Sequence, residues 1–257
     1  MKQKTILMAN WPAPKNIHAF TTLRHGMGFS QSPFNEFNLG NRYSDQGDDA
    51  NVVEKNREQL FQTFSMPSKP HWLKQVHGVD VLRVEKPPVI SGDFHRDEPI
   101  ADAAVTSQKN IVLSILTADC LPVLFCNIDG SEVAAAHAGW RGLADGVLEN
   151  TVHAMRTAPE NIMAWLGPAA GPQAYEIGAE VRDVFIVQDS KAEAAFIATR
   201  ENHWRVDLYQ LARLRLQEVG ITKIYGGEHC TISEKDKFFS HRRDQQTGRM
   251  ASLIWMS

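Results

Sequence analysis

The sequence has few cysteines and none of the spacing that cysteine-rich domains use. Its 257 residues include three, Cys120, Cys126 and Cys230, and none of them forms a C-x-x-C pair. An odd number without such a pair excludes a disulfide framework and a four-cysteine zinc clip. We therefore expect a protein of the reducing cytoplasm.

Long hydrophobic runs and blocks of like charge are also missing. The apolar run that begins at Ile111 is interrupted by Thr117, Asp119 and Pro122 before it reaches the length of a membrane span. The N-terminal segment MKQKTILMANWPAP lacks the cleavage site of a signal peptide. The net charge is -3, with no dense run of Lys and Arg. We expect neither a membrane nor a nucleic acid as a partner.

Hydrophobic residues make up 43% of the chain, which is enough for a sizeable core. The length is long for one domain and short for two, so we predict a single α/β domain over residues 1–257. The apolar pattern predicts strands at 18–23, 72–76, 79–85, 111–116, 121–127, 132–139, 162–166, 223–225 and 249–255. It predicts helices at 50–64, 142–156, 178–187, 192–199 and 207–219.

His77, Cys120 and His137 each lie beside a turn at the end of a predicted strand, where side chains of a sheet can converge. Two nitrogen donors and one sulfur donor suit zinc, and three protein ligands leave a fourth position for water or substrate. The adjacent Gly78 and Gly139 allow close approach of the backbone. Spacing alone favours another interpretation, in which the cysteine is a small core residue and both histidines hydrogen-bond to the backbone.

A different chemistry is open to the same residues. Cys120 as a thiolate nucleophile with His137 as its general base would make a hydrolase or a transferase. Asp119 can act as an acid or base, can orient a metal ligand, or can be a turn residue that accepts backbone hydrogen bonds. Removal of the metal separates the two chemistries, because only a metal site loses activity with a chelator.

Several basic residues are candidates for binding anions. Arg141 lies just ahead of a predicted helix, where it can bind an anion or remain an exposed surface residue. The segment Arg242–Asp244 can bind phosphate or form a salt-bridged turn. Five histidines without converging partners in the sequence are expected to be surface or structural residues: His18, His71, His95, His153 and His203.

Several longer segments carry a family resemblance. They are WLKQVHGVDV, ADAAVTS, TADCLPVLF, EVAAAHAGWRGL, AWLGPAAGP, EIGAEV and FFSHRRDQQTGRMASLIW. Together, in order and over nearly the whole chain, they resemble the YfiH family, once called multicopper polyphenol oxidases or laccase-like proteins. Three positions depart from the family pattern: Met27 between two glycines, Arg42 in place of a histidine, and His241 in place of a tyrosine.

The resemblance implies a compact α/β (α+β) fold with β-layers flanked by helices, a sandwich similar to that of cysteine hydrolases. It implies a mononuclear site on His77, Cys120 and His137, with zinc as the cofactor and copper as the alternative metal. The implied activity is phosphorolysis of adenosine, inosine and S-methyl-5'-thioadenosine, together with adenosine deamination. In bacteria the family is also linked to peptidoglycan editing.

On this basis we expect a purine nucleoside and phosphate as partners, and a monomer or small homo-oligomer. Arg141 and Arg243 are expected to neutralise the phosphate, Arg24 and Asn38 to bind substrate, and Asp119 to hydrogen-bond the leaving base. Two alternatives remain: a peptidoglycan-precursor hydrolase that uses Cys120, and a copper-dependent phenol oxidase. The second lacks the paired His-x-His segments of a multicopper cluster, and the H-x-E and P-C-x-x-C signatures of nucleobase deaminases are also missing.

Overall fold

Three β-sheets and the helices packed against them make up the structure, a computed structural model that describes residues 5–40, 42, 46–93 and 97–257. His95 and part of the loop at 24–47 lie outside the described residues. The strands are β1 (Ile6–Met8), β2 (Ile17–Thr22), β3 (Val81–Arg83), β4 (Ala103–Thr106), β5 (Leu113–Thr117), β6 (Leu121–Asn127), β7 (Val133–Ala138), β8 (Ile162–Leu166), β9 (Glu176–Gly178), β10 (Phe196–Arg200), β11 (His203–Val206), β12 (Lys223–Gly226) and β13 (Met250–Met256).

The described α-helices are α1 (Ala50–Thr63), α2 (Trp140–Asp145), α3 (Val147–Ala154), α4 (Ala179–Gln188), α5 (Leu208–Glu218) and α6 (His241–Asp244). Short 3-10 turns cover Pro159–Asn161 and Ser190–Ala195. Helix α1 begins where the Asp49 side chain accepts a hydrogen bond from the backbone N–H of Asn51, an N-cap of the usual kind. In the described part of the chain, no helix is long and apolar enough to cross a membrane.

The largest sheet has six strands in the order β12-β8-β6-β7-β4-β3. Strands β6 and β7 are antiparallel and pair Leu121 with Ala138, while β4 pairs Ala103 with Ala136 on the other side of β7. The start of β6, the end of β7 and the start of β4 therefore lie at the same end of the strands in this sheet. A four-stranded sheet, β1-β2-β13-β5, and a small three-stranded sheet, β10-β11-β9, complete the β-structure.

Alternating residues of β6 pack against two different layers. Val123 and Phe125 belong to the apolar cluster that includes residues of α3, α4 and α5, whereas Leu124 and Cys126 belong to the cluster that contains residues of β5 and β13. A strand buried on both faces has no polar side, which explains the continuous apolar run LPVLF. The predicted α/β fold with β-layers flanked by helices is confirmed.

Three predicted elements are wrong. Residues 192–199 were expected to be helical, but Ser190–Ala195 is a 3-10 turn and Phe196–Arg200 is a strand paired with β11. The helix expected over 142–156 is divided at Gly146, whose φ of 97° lies in the left-handed region and ends α2. Within the strand expected over 72–76 the described structure has one isolated bridge, between Lys74 and Ile100, and a second bridge lies just before it at His71.

Candidate metal centre

His77, Cys120 and His137 converge at the end of the six-stranded sheet where β6 begins and β7 ends. One donor atom from each residue lies within 4.8 Å of the donors of the other two. The Cys120 Sγ is 3.7 Å from the Nε2 of His77. His77 is exposed, Cys120 is partly exposed and His137 is buried, so the group is open to solvent on one side. The structure thus brings together all three residues that the sequence predicted as ligands.

The topology explains why residues distant in the sequence meet here. Cys120 immediately precedes β6, and His137 is the fifth residue of β7, opposite Pro122 in the β6–β7 pair. His77 lies in the bend before β3, with a φ of 61°. Because β3 pairs with β4 and β4 pairs with β7, the bend lies at the same end of the strands as Cys120 and His137.

Asp102, immediately before β4, holds the two histidines in place. Its carboxylate is fully buried and accepts hydrogen bonds from the backbone N–H groups of Val76, His77 and Gly78, at 2.8 to 3.1 Å. It also accepts the Nδ1–H of His137 at 2.8 Å, which directs Nε2 of that ring toward Cys120. A carboxylate on the far nitrogen of a ligating histidine fixes the tautomer and orientation of the ring.

Gly139 provides the space in which the donors converge. A Cβ atom at this position would lie 2.8 Å from Cδ2 of His77 and 3.1 Å from Sγ of Cys120. Its φ of -61° is ordinary, so the requirement for glycine here is steric rather than conformational. At Gly78 the same atom would make only ordinary contacts at 3.5 Å. Of the two glycines singled out in the sequence, Gly139 is the one that the site requires.

The separation of two of the donor atoms matches that expected around a tetrahedral metal ion. Bonds of about 2.0 Å to nitrogen and 2.3 Å to sulfur would place the donors of a tetrahedral zinc site roughly 3.3 to 3.6 Å apart. The 3.7 Å between Cys120 Sγ and His77 Nε2 is close to that separation. These three side chains can therefore hold a metal ion with one position left for another ligand.

Cys120 and His137 form a coupled acid–base pair. Burial acts to raise the pKa of the Cys120 thiol, but the charge and hydrogen bond of His137, followed by those of His77, lower it to about 6. Burial acts to lower the pKa of His137, but the Cys120 thiolate and then Asp102 raise it to about 9. Near neutral pH and without metal, the pair is a thiolate and an imidazolium.

Two chambers open beside this centre and share five lining residues, His77, Ala118, Cys120, Arg141 and His241. The metal-facing chamber, about 490 Å³, touches all three donors and is also lined by Lys74, Gln75, Thr117 and Arg249. The aromatic chamber, about 150 Å³, is lined by Trp140, Tyr175, Leu208, Asp119 and Arg242. The larger volume lies in the usual range of ligand sites.

Two of the predicted site residues besides the ligands lie in this cleft. Arg141 lines both chambers, with its guanidinium 4.3 Å from the ring centroid of Trp140. Asp119 lines the aromatic chamber, but its carboxylate accepts the Thr231 hydroxyl and the backbone N–H of Arg242, both at 2.6 Å. This geometry favours the role of a turn residue over that of an acid.

Arg24, Asn38 and Arg243 line neither chamber. Arg24 donates to the carbonyls of Asn35 and Lys235. Arg243 donates to three backbone carbonyls and pairs with Asp244, so it forms the salt-bridged turn that was its alternative role. The Asn38 side chain is fully buried and accepts the backbone N–H of Arg249. Asn38 thus lies outside the cleft and holds the backbone of Arg249, which lines the metal-facing chamber.

The sequence interpretation missed Asp102, Arg249 and the place of His241 and Arg242 in the cleft. Asp102 is the first polar residue ahead of a buried strand, AAVT, and such a position is the signal that would have marked it. Arg249 carries no local signal, since only the pairing of β13 with β5 brings it near Thr117.

The fold and the three donors define an α/β protein with a candidate metal centre, and the family follows from comparison with known proteins. Residues 18–257 match the family described as multi-copper polyphenol oxidoreductase laccase. The chain belongs to this family, to which the YfiH proteins also belong.

Curated relatives and solved structures agree with this assignment. A protein named purine nucleoside phosphorylase from Xylella fastidiosa is 56% identical over 98% of this chain and 96% of its own length. Purine nucleoside phosphorylase YfiH of Escherichia coli is 50% identical over 98% of both chains. A Neisseria meningitidis crystal structure has a TM-score of 0.89 at 44% identity, covering 99% of this chain and 100% of that one. YlmD from Geobacillus stearothermophilus has a TM-score of 0.88 at 30% identity, covering 100% and 97%.

Proposed function

We propose that this protein is a purine nucleoside phosphorylase that acts on adenosine, inosine and S-methyl-5'-thioadenosine at a mononuclear zinc site, with adenosine deamination as a second activity. The observation that carries the proposal is the division of the cleft into the aromatic chamber and the metal-facing chamber, which meet at His77 and Cys120. The names of relatives at 50% to 56% identity support it.

The two chambers suit the two substrates. Trp140 and Tyr175 offer flat surfaces for a purine, and the aromatic chamber has roughly the volume of five water molecules, enough for one base. Lys74, Arg141 and Arg249 line the metal-facing chamber without an acidic neighbour among its described lining residues. A phosphate oxyanion would be stabilised there.

In phosphorolysis, a phosphate oxygen attacks the anomeric carbon of the ribose while the bond from that carbon to the purine breaks. The three donors would hold zinc, which would supply Lewis acidity beside the phosphate. Asp102 keeps His77 and His137 in their positions as ligands. Asp119 acts by holding the backbone of Arg242 beside the base, because both of its oxygens are already occupied.

Product analysis tests the proposal. The purified protein is incubated with adenosine, with and without inorganic phosphate, and the products are separated by chromatography. We expect adenine and ribose 1-phosphate only when phosphate is present, and inosine from the deamination in both cases. Absence of both adenine and hypoxanthine in the presence of phosphate would refute the phosphorylase.

A hydrolase that uses Cys120 as its nucleophile is the second candidate, because Cys120 and His137 form a thiolate–imidazolium pair when no metal is bound. Such an enzyme could edit peptidoglycan precursors. It would keep its activity in a chelator, whereas the phosphorylase would lose it. A copper-dependent phenol oxidase has less support, because the described residues contain a single cluster of three or more metal donors.

A further inference from the structure

Arg249 has an unusual position in the metal-facing chamber. It immediately precedes β13 and lines the chamber together with Cys120 and His137. No described carboxylate lies within ion-pair distance of its guanidinium, although the residue is partly buried. Partial removal of a charge from water is costly without a counterion, so such a charge is normally paired with an ion.

The surroundings hold Arg249 rigidly in this position. Its backbone N–H donates to Oδ1 of Asn38 at 2.8 Å, and its carbonyl accepts the N–H of Leu39. The Cβ and Cγ atoms pack so closely on Gly40 that a Cβ there would lie 3.2 Å from both. Nη1 donates to the carbonyls of Thr247 and Gly248. The side chain is therefore preorganised, with little rotamer freedom left to lose on binding a ligand.

The electrostatic environment also marks this residue. Burial lowers the pKa of Arg249, while the negative charges of Cys120 and Asp119 act in the opposite direction. The Arg249 guanidinium therefore interacts electrostatically with Cys120. Thr117, which lines the same chamber, has a buried hydroxyl without a hydrogen-bond partner in the described part of the chain.

We propose that Arg249 is the residue that binds inorganic phosphate in the metal-facing chamber. The identity of the anion rests on the proposed function, since phosphate is the co-substrate of phosphorolysis. Lys74 and Arg141 line the same chamber but are exposed, so water screens their charge more strongly. A fixed guanidinium in a less polar surrounding binds an oxyanion more strongly and with defined geometry.

Calorimetric titration with inorganic phosphate tests the proposal, with both zinc-loaded and chelator-treated protein. The variants are Arg249→Met and a matched control, Arg156→Met. Arg156 is an exposed arginine beside Thr157, whose hydroxyl accepts a hydrogen bond from Asn127 at the opposite end of β6. We expect the phosphate affinity of Arg249→Met to fall about 10- to 100-fold, the effect of losing a charged hydrogen bond. Arg156→Met should bind phosphate as the wild type does.

A second measurement avoids dependence on a variant that fails to fold. Phenylglyoxal modifies accessible arginines, and peptide mapping shows which ones react. We expect phosphate to protect Arg249 in the wild-type protein and to leave Arg156 unprotected. Equal phosphate affinity of folded Arg249→Met and wild type, or modification of Arg249 at the same rate with phosphate, would overturn the proposal.

The outcomes also separate this proposal from the proposed function. Phosphate binding that depends on Arg249, without release of adenine or hypoxanthine from adenosine, would support the anion site and refute the phosphorylase. Phosphorolysis with an unchanged KM for phosphate in Arg249→Met would support the phosphorylase and refute the role of Arg249.

Discussion

The substitution Gly139→Ala is expected to weaken metal binding while leaving the fold intact. The new Cβ would lie 2.8 Å from Cδ2 of His77, about 0.6 Å closer than an ordinary contact, and 3.1 Å from Sγ of Cys120. Alanine is compatible with the φ of -61° at this position. Because His77 is on the exposed side of the site, its ring can turn away more easily than the backbone can move.

A displacement of this size exceeds the tolerance of about 0.2 Å for metal–ligand distances. We therefore expect zinc affinity to fall about 10- to 100-fold, or roughly 1.4 to 2.8 kcal/mol. The free energy of unfolding of the metal-free protein should change by about 1 kcal/mol or less, since the cost there is that of alanine at a helix N-cap.

Competition with a chromophoric zinc chelator measures the affinity, and thermal unfolding of the metal-free protein measures the stability. Gly78→Ala is the matched control, because its Cβ would make contacts of 3.5 Å beside the same histidine. It should bind zinc as the wild type does. Wild-type affinity in Gly139→Ala would refute the placement of His77 and Cys120 around one metal ion.

Three further predictions follow from the same centre. Asp102→Ala should weaken zinc binding about 10- to 100-fold in chelator competition and also lower the melting temperature, since it leaves the buried Nδ1–H of His137 and three partly buried backbone N–H groups without an acceptor; unchanged zinc affinity would contradict it. At pH 7.5 zinc should displace about one proton from the Cys120–His137 pair, the one on His137, and the release should fall to about half a proton near the pKa of His137, about 9. Calorimetry in buffers of different ionisation enthalpy counts the protons, and no release at pH 7.5 would contradict the pKa assignment. In metal-free protein at pH 7, iodoacetamide should label Cys120 first and zinc should protect it, whereas Cys126, whose pKa burial raises to about 12, should react only after unfolding; peptide mapping identifies the labelled thiol, and early labelling of Cys126 would contradict this order.

The fold could be predicted where local signals were consistent with the tertiary structure. Helix α1 follows an acidic cap and carries buried Val53 and Leu60 on one face, and it lies almost where its pattern placed it. Strand β6 was found because it is apolar on both faces. The pattern failed at 192–199, where Asn202, with a φ of 55°, turns the chain so that β10 can pair with β11. That pairing is a tertiary effect and overrides helix propensity.

The donors of the site were predictable from the sequence, but the residues that support them were not. Positions beside turns at strand ends identified His77, Cys120 and His137 as candidate ligands. The resemblance of the surrounding segments to family motifs distinguished these residues from core residues. Asp102 and Arg249 act through positions set by sheet pairing, which no local pattern encodes. Arg243, predicted to bind phosphate, donates hydrogen bonds to the carbonyls of Thr231 and Phe238, and these contacts are likewise set by tertiary structure rather than by a local pattern.

Metal-restored phosphorolysis tests the central claim most directly. The protein is stripped with a chelator, zinc or copper is added back in steps, and ribose 1-phosphate is measured in the presence of adenosine and phosphate. We predict that ribose 1-phosphate formation is lost on stripping and returns in proportion to zinc up to about one equivalent per chain. Full formation of ribose 1-phosphate by the stripped protein would contradict the account.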